Sequence, residues 1–222
     1  MNKQKKLLIV LLLIVLALGA LACWQRNNLK ALYMAKTMDA DTILASAAAQ
    51  TEKRQKELER YGVTLPAPTR EEIDALLDGR ILPEILLTDE ARTNETDASA
   101  DDPSAEQMTE KDILERCIQK LYECEAVLMV RLGAMKQAAL DEWHALEEQE
   151  RTKERKRKII LRGLDDCYEL EVEIDAQVLG ILDEHRAELK AIRADTAPID
   201  ILWKHYCDRK ASEKAYYINQ YL

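Results

Sequence analysis

Five cysteines and three histidines are the side chains of this 222-residue sequence best suited to bind a metal or to act in catalysis. Cys117 and Cys124 are seven residues apart, so on a helix they share one face about 10 Å apart, too far for a disulfide. The sequence contains no CxxC, HExxH or other zinc-binding spacing. We interpret the thiols as small apolar side chains, with a Cys117–Cys207 disulfide as the alternative in an oxidising compartment.

The three histidines, His144, His185 and His205, fall on the faces of predicted helices, where an imidazole is usually packed or solvated. The sequence also lacks a GxSxG elbow, a Walker A loop, a GxGxxG turn and an SxxK motif. We therefore expect no catalytic, metal-binding or cofactor-binding residue and no enzymatic activity.

Six basic residues form a cluster, namely Arg151, Lys153, Arg155, Lys156, Arg157 and Lys158. In one interpretation they are a solvated helix face, paired with acids four positions away at about 0.3 kcal/mol each. These pairs would be Glu147–Arg151 and Glu154–Lys158. In the other interpretation they bind a wall polymer, anionic lipid headgroups or an acidic protein, because positive charge at a helix N-terminus opposes the helix dipole. The net charge of −9 argues against nucleic acid as a partner.

The C-terminal tyrosines are a second candidate contact. Tyr217 and Tyr221 are four residues apart and share a helix face, so we expect them to pack in the core. Tyr216 points elsewhere and is a candidate for a partner contact.

The composition indicates how these residues are positioned. Ala, Glu, Lys, Leu and Arg make up about half of the chain, with six Gly and no Phe, which is typical of long helices. We predict an all-α protein that has an N-terminal transmembrane helix, a stalk helix and an elongated C-terminal three-helix bundle.

The segment of residues 1–26 is predicted to be a membrane anchor. Three lysines precede an apolar run over residues 7–23, which as a helix would be about 25 Å long against about 30 Å for a bilayer core. We predict a retained signal anchor in the cell membrane, with the C-terminal body outside the cytoplasm. A cleaved signal peptide and a lipoprotein signal ending at Cys23 are the alternatives.

The stalk region covers residues 27–87. Apolar and Ala-rich positions predict one stalk helix over residues 27–61, ended by Gly62. A short helix follows with Thr69 as its N-cap and Gly79 at its end, and Pro83 opens a last turn. Residues 88–110 hold eight acids and almost no bulky apolar side chain, so we predict a disordered acidic linker.

The three-helix bundle is predicted for residues 111–222, where apolar or small residues recur every three or four positions in two long series. The first series is Leu114, Cys117, Leu121, Cys124, Leu128, Leu132, Met135, Ala139, Trp143 and Leu146, and the second is Ile160, Leu164, Cys167, Leu170, Ile174, Val178, Ile181, His185, Leu189 and Ile192. They predict an antiparallel hairpin with its tip near residues 147–153. Pro198 begins the third helix.

The chain also resembles a group of membrane-anchored, coiled-coil hairpin proteins of anaerobic Firmicutes that has no established activity. The resemblance lies in the lysine-led anchor, the Tyr61–Gly62 helix end, the acidic linker and the segments EEIDALLDGRILPEIL, EWHALEEQERT and EKAYYINQYL. It implies the helical architecture described above and assigns no functional residue.

These features together predict a non-enzymatic, single-pass membrane protein. We expect a structural or adaptor module of the cell envelope that acts through a protein partner or through self-association of its helix faces. The alternative is a module that binds anionic lipid or cell wall through the basic residues 151–158.

Overall fold

The structure, a computed structural model, describes residues 26–81 and 108–221. Over these ranges the chain forms six α-helices and no strand, which confirms the predicted all-α class. The predicted anchor up to residue 25, the turn at Pro83 and the acidic linker up to residue 107 lie outside the described residues. Of the helices that are described, none is both long and apolar enough to cross a bilayer.

The helices belong to two compact units. In chain order they are α1 (Arg26–Thr37), α2 (Ala40–Leu58), α3 (Arg70–Leu77), α4 (Glu110–Ala145), α5 (Lys153–Ala191) and α6 (Ala197–Tyr221). The first unit contains residues 26–60 and 200–221, and the second contains residues 61–199. Helices α1, α2 and most of α6 therefore form the first unit, and α3, α4 and α5 form the second.

The core of the first unit is a small cluster of buried side chains from all three of its helices. It consists of Ala31 and Met34 of α1, Ile43 of α2, and Ala211 and Ala215 of α6. The two alanines of α6 are four residues apart and share one face of the helix. Because their side chains are small, α1 and α2 can pack closely against that face.

The turn between α1 and α2 shows that the prediction of one continuous stalk helix is wrong. The Asp39 carboxylate accepts a 2.7 Å hydrogen bond from the backbone N–H of Thr42 and so caps the start of α2. The Asn219 amide of α6 donates to the carbonyls of Ala35 at 3.1 Å and Met38 at 3.0 Å. Carbonyls at a helix end have no partner within the helix, so Asn219 stabilises the end of α1.

An ion network joins the three helices of the first unit. The Asp208 carboxylate of α6 lies 2.7 Å from Lys30 of α1 and 3.1 Å from Arg54 of α2. Arg54 also pairs with Glu57 at 3.0 Å. Burial by itself would raise the pKa of Asp208, but the hydrogen bonds and charges of the two cations outweigh it and hold that pKa below its ordinary value of 3.8.

Several helix ends of the second unit follow the predicted local signals. The Thr69 hydroxyl and the Glu72 side chain form a reciprocal capping box at the start of α3. Gly62 and Gly79 have φ values of 72° and 66°, the left-handed conformation that terminates helices. Thr109, predicted to lie in the acidic linker, forms a second capping box at the start of α4.

Helices α4 and α5 form the antiparallel hairpin that the two apolar series predict, with its tip between residues 145 and 153. A ladder of ion pairs sets the register: Arg116–Glu188 at 2.7 Å, Lys120–Glu184 at 3.2 Å, Arg131–Glu173 at 2.7 Å, and Glu142 with Arg162. From one pair to the next, the residue number on α4 rises by as much as the residue number on α5 falls, as expected for two antiparallel helices. Exposed pairs of this kind contribute about 0–1 kcal/mol each, so they specify register more than stability.

Helix α3 packs against the α4 helix of the hairpin. Its contact is a cluster of Ile73 and Leu76 with Ala126 and Met129 of α4. The two helices approach most closely at Gly133, where an added Cβ atom would overlap the carbonyl of Leu77. Only glycine permits this approach.

The predicted bundle of residues 111–222 is therefore divided differently in the structure. From Asp200 onward, α6 belongs to the first unit, where Ala211 and Ala215 pack in one cluster with buried apolar residues of α1 and α2. The face of α4 around Gly133 is covered by α3 instead.

Candidate functional site

The tip of the hairpin carries the basic cluster predicted to bind a partner. A short 3-10 turn, Glu148–Glu150, connects the two long helices there. The Thr152 hydroxyl accepts a 3.2 Å hydrogen bond from the backbone N–H of Arg155 and caps the start of α5.

Arg151 closes the end of α4 rather than facing a partner. Its Nε donates to the carbonyl of Leu146 at 3.1 Å, and its Nη2 donates to the carbonyl of His144 at 2.9 Å. A cation at a helix C-terminus is also favoured by the helix dipole. The predicted Glu147–Arg151 pair does not occur among the ion pairs of the described residues, because the Arg151 guanidinium is turned toward these carbonyls.

Two further cations of the cluster pair with acids of the hairpin. Lys158 lies 3.4 Å from Glu154, the pair predicted from their spacing. Arg155 lies 3.9 Å from Glu142, which also pairs with Arg162. The charges of Arg155 and Lys158 are thus partly balanced within the hairpin.

The other three cations, Lys153, Lys156 and Arg157, are exposed, and within the described residues they make no hydrogen bond or ion pair through their side chains. All six tip residues are exposed, and the structure divides them into three that make contacts within the hairpin and three whose side chains make none among the described residues. The latter three are the cations able to meet a partner without first breaking an internal contact.

An open depression of about 320 Å³ lies beside the tip turn. It is lined by Leu146, Glu150, Thr152, Glu154, Arg155 and Lys158. Its charges are mixed and it includes none of the three solvent-facing cations. It therefore offers no concentration of one charge for a ligand.

The half of the hairpin near the tip has a thin core. In α4 the buried positions end at Gly133, and in α5 only Ile159 is buried before Leu170. These two α5 residues are eleven apart, which is three helical turns, so they share the face toward α4. The predicted core residues Ile160 and Leu164 are instead 49% and 59% exposed, since both lie outside the face that Ile159 and Leu170 turn toward α4.

The result is an exposed apolar row on α5. It comprises Ile160, Leu161, Leu164, Tyr168 and Val172, each of which is more than two-fifths exposed. The row is not predicted from the sequence, because the second apolar series as a whole is assigned to the hairpin core. The signal was present in Ile159, Ile160 and Leu161, since three consecutive apolar residues on a helix cannot all face one neighbour.

Tyr216, predicted to contact a partner, is half-buried and packs against the core cluster of the first unit. Its ring also meets that of Tyr217 edge-on, with centroids 5.4 Å apart. The structure thus places Tyr216 in the packing of α6 within the first unit.

The cysteines behave as apolar side chains. Cys117 and Cys124 are buried in the hairpin, and none of the four described cysteines, Cys207 included, forms a disulfide. Burial raises the pKa of Cys117 to about 12 and also raises the pKa of Cys124. A thiol with so high a pKa is almost wholly protonated and a poor nucleophile at neutral pH.

The histidines occupy three different environments. His144 is exposed, whereas His185 and His205 are buried. Nδ1 of His185 lies 2.7 Å from the carbonyl of Ile181, which can only accept, so Nδ1 carries the proton. Among the described residues, no group of three or more His, Cys, Asp or Glu side chains is arranged to hold a metal ion.

Comparison of the chain with protein-family models, with curated proteins and with solved structures returns no match.

Proposed function

We propose that this chain is a non-enzymatic, single-pass membrane protein that serves as a structural or adaptor module of the cell envelope, with the tip half of its hairpin as the docking surface. The observation that carries the proposal is the exposed apolar row of α5, which lies beside three cations that have no side-chain partner within the described residues.

This row leaves apolar surface in water, although the same hairpin buries residues of the same kind elsewhere. Nearer the base, Ile174, Val178 and Leu189 of α5 are fully buried. From Ile160 to Val172 the row extends about 18 Å along the helix. Contiguous apolar surface favours association at about 25 cal/mol per Å² covered, and such patches commonly mark interaction sites.

Support for membrane anchoring comes from the sequence. The lysine-led apolar run of residues 7–23 fits a signal anchor, and the orientation that follows from its lysines puts the hairpin outside the cytoplasm. Anchoring would confine the docking surface to the layer next to the membrane, which is where an envelope adaptor acts.

Site-specific photo-crosslinking of the full chain in cells tests the proposal. A photo-reactive residue at Leu164 should give higher-mass adducts in the membrane fraction, whereas the same residue at Ala187, also exposed on α5 but near the hairpin base, should not. Absence of adducts at position 164, or equal yields at both positions, would contradict a docking surface near the tip.

A second candidate function is binding of anionic lipid or wall polymer, favoured by the exposure of Lys153, Lys156 and Arg157. Attraction to an anionic surface is worth about 1 kcal/mol per cation and depends on total charge more than on position. Lys156→Glu and Arg157→Glu should therefore weaken sedimentation with anionic vesicles or wall fragments equally. If neither change has an effect, this second function is excluded.

A further inference from the structure

We propose that one exposed face of α1 is a lipid-contacting surface that holds the first unit against the headgroup layer of a phospholipid bilayer. The inference rests on the membrane anchoring in the proposed function. It concerns a different helix from the docking surface of the hairpin and a different occupant, lipid rather than protein.

The surface consists of Leu29, Leu32, Tyr33 and Lys36, which we call the α1 outer face. The three apolar residues are 53%, 55% and 69% exposed, and Lys36 is exposed as well. They are spaced at i, i+3, i+4 and i+7, so at 3.6 residues per turn all four lie within about 100° of arc. The outer face is therefore one continuous strip along the helix.

The opposite side of α1 builds the core of the first unit. Ala31 and Met34 are buried there, and Ala35 packs against the same cluster. The helix is thus apolar on two sides, of which the described part of the chain covers only one. Lipid can cover the outer face without opening the core.

Exposed apolar side chains in the first unit are confined to the outer face. Among the residues whose exposure the structure describes, every other large apolar side chain of α1, of α2 and of α6 from Asp200 onward is buried or partly buried. Exposed apolar residues that are gathered on one helix face, and not scattered singly, indicate an interaction surface.

The sequence places the outer face beside the predicted anchor. Only Trp24 and Gln25 separate the apolar run of residues 7–23 from Arg26, where α1 begins. Even a fully extended link of this length spans only about 10 Å. The first turn of α1 is therefore held close to a headgroup layer that is itself about 5–7 Å thick.

Charge favours lipid over a second copy of the chain as the occupant. The chain has a net charge of −9, yet α1 contains the cations Arg26, Lys30 and Lys36 and no acidic residue. Two copies of the outer face would set like charges against each other, whereas anionic headgroups attract them. Leucine, an aromatic residue and lysine are also the side chains typical of helices that lie in the membrane interface.

The side chains of the outer face are available for this contact. Lys30 is already paired with Asp208 and lies outside the face. Lys36 and the Tyr33 hydroxyl make no side-chain hydrogen bond or ion pair within the described residues. A lysine stem can extend over lipid while its ammonium group reaches the headgroups, and tyrosine is enriched at the same depth.

Photo-crosslinking to lipid tests the contact. The full chain carries a photo-reactive residue at Leu32 in vesicles of phosphatidylethanolamine and phosphatidylglycerol, and mass spectrometry detects peptides heavier by one phospholipid. The matched position is Ala45, which is exposed on the side of α2 opposite the buried Ile43. We expect about tenfold more lipid adduct at position 32 than at position 45. Equal yields, or no lipid adduct at position 32, overturn the inference.

Two substitutions that add one negative charge each provide a second test. Leu29→Asp, with the photo-reactive residue kept at position 32, should lower the yield of lipid adduct about tenfold, because an apolar contact is replaced by a charge that anionic headgroups repel. Ala45→Asp should leave the yield within about twofold, because it lies outside the contact. Both positions are exposed, so circular dichroism and the melting temperature should be unchanged. Equal losses in the two variants overturn the inference.

Alkaline carbonate extraction of cell membranes separates this inference from the proposed function. A chain that resists extraction but gives no lipid adduct at position 32 overturns the inference alone. Crosslinking of position 32 to a second copy instead of lipid also overturns it and leaves the adaptor function in place. If carbonate releases the full chain, the anchor is absent and both proposals fail.

Discussion

The backbone of Gly133 in α4 lies directly against the carbonyl of Leu77 at the end of α3. This contact, together with the Lys136–Asp78 ion pair at 3.2 Å, fixes where α3 rests along the hairpin. The position of α3 thus depends on the absence of a side chain at one residue in the middle of a long helix.

Gly133→Ala should therefore destabilise the second unit. Alanine favours a helix by about 0.5–1 kcal/mol over glycine, but forcing a methyl group into a filled contact costs about 1–3 kcal/mol, so the net effect is a loss. Hydrogen exchange measured by mass spectrometry should show faster exchange in residues 70–77.

Two other helical glycines serve as controls for this change. A Cβ atom at Gly163 or Gly180 would meet no neighbour within 4 Å. Gly163→Ala and Gly180→Ala should accordingly raise the free energy of unfolding by about 0.5–1 kcal/mol. Destabilisation by all three substitutions would mean that the close approach at Gly133 is not the cause.

The pH dependence of the first unit should reflect His205. Burial, followed by the nearby charge of Arg209, lowers the pKa of His205 to about 3 from its ordinary 6.5, although Asp208 acts in the opposite direction. The folded chain then binds fewer protons than the unfolded chain between these values. The free energy of unfolding that depends on neutral His205 is therefore fully present above pH 6.5 and is lost as the pH falls toward 3.

His205→Gln should remove most of that loss, about 2 kcal/mol between pH 6.5 and pH 4. Hydrogen exchange in residues 200–217 at several pH values measures it. His144→Gln is the control, because His144 is exposed on the second unit. The interpretation fails if the His205 variant keeps the full pH dependence of the unmodified chain.

Arg193 occupies a backbone conformation that normally requires glycine. It has a φ of 59° where α5 ends, and the N–H of Ala194 there donates to the carbonyl of Leu189 at 2.9 Å. Arg193→Gly should raise the free energy of unfolding by about 1 kcal/mol, because the left-handed conformation is costly for a residue with a side chain. Lys190→Gly, inside the last turn, should lower it by about the same amount in urea titrations.

The buried thiol of Cys117 should resist alkylation. With its pKa raised to about 12 by burial, we expect Cys117 to react with iodoacetamide at pH 8 far more slowly than Cys167 or Cys207, which are partly exposed. Mass spectrometry of the labelled peptides measures the rates. Similar rates at the three positions before unfolding would show that Cys117 is accessible.

Local signals were sufficient to predict much of the helical structure. Thr69, Gly62 and Gly79 act through neighbouring backbone groups, so their roles are visible in short segments of sequence. The periodicity of the two apolar series likewise predicted the hairpin and its tip. The break after α1 was missed because the Ala-rich run conceals it, although Asp39 and Thr42 have the spacing of a helix cap.

The distribution of contacts between helices could not be predicted in the same way. Which helix covers α4 depends on the close approach at Gly133, and which helix covers α1 and α2 depends on Ala211 and Ala215. The six tip cations look equivalent in sequence, yet Arg151 is used by carbonyls that become available only when the turn forms. The tip was therefore predicted as a basic patch but not resolved into its separate roles.

The first unit is built from the two ends of the described chain, so its helices are synthesised at widely separated times. The second unit is a continuous stretch of the chain, so all of the segments that pack together in it are available once residue 199 has emerged from the ribosome. Helices α1 and α2, made earlier, must wait for Ala211, Ala215 and Asn219, which are made after the whole of the second unit. Until then Ala31, Met34 and Ile43 lack their α6 neighbours, and a nascent chain halted before α6 would present them to chaperones and proteases.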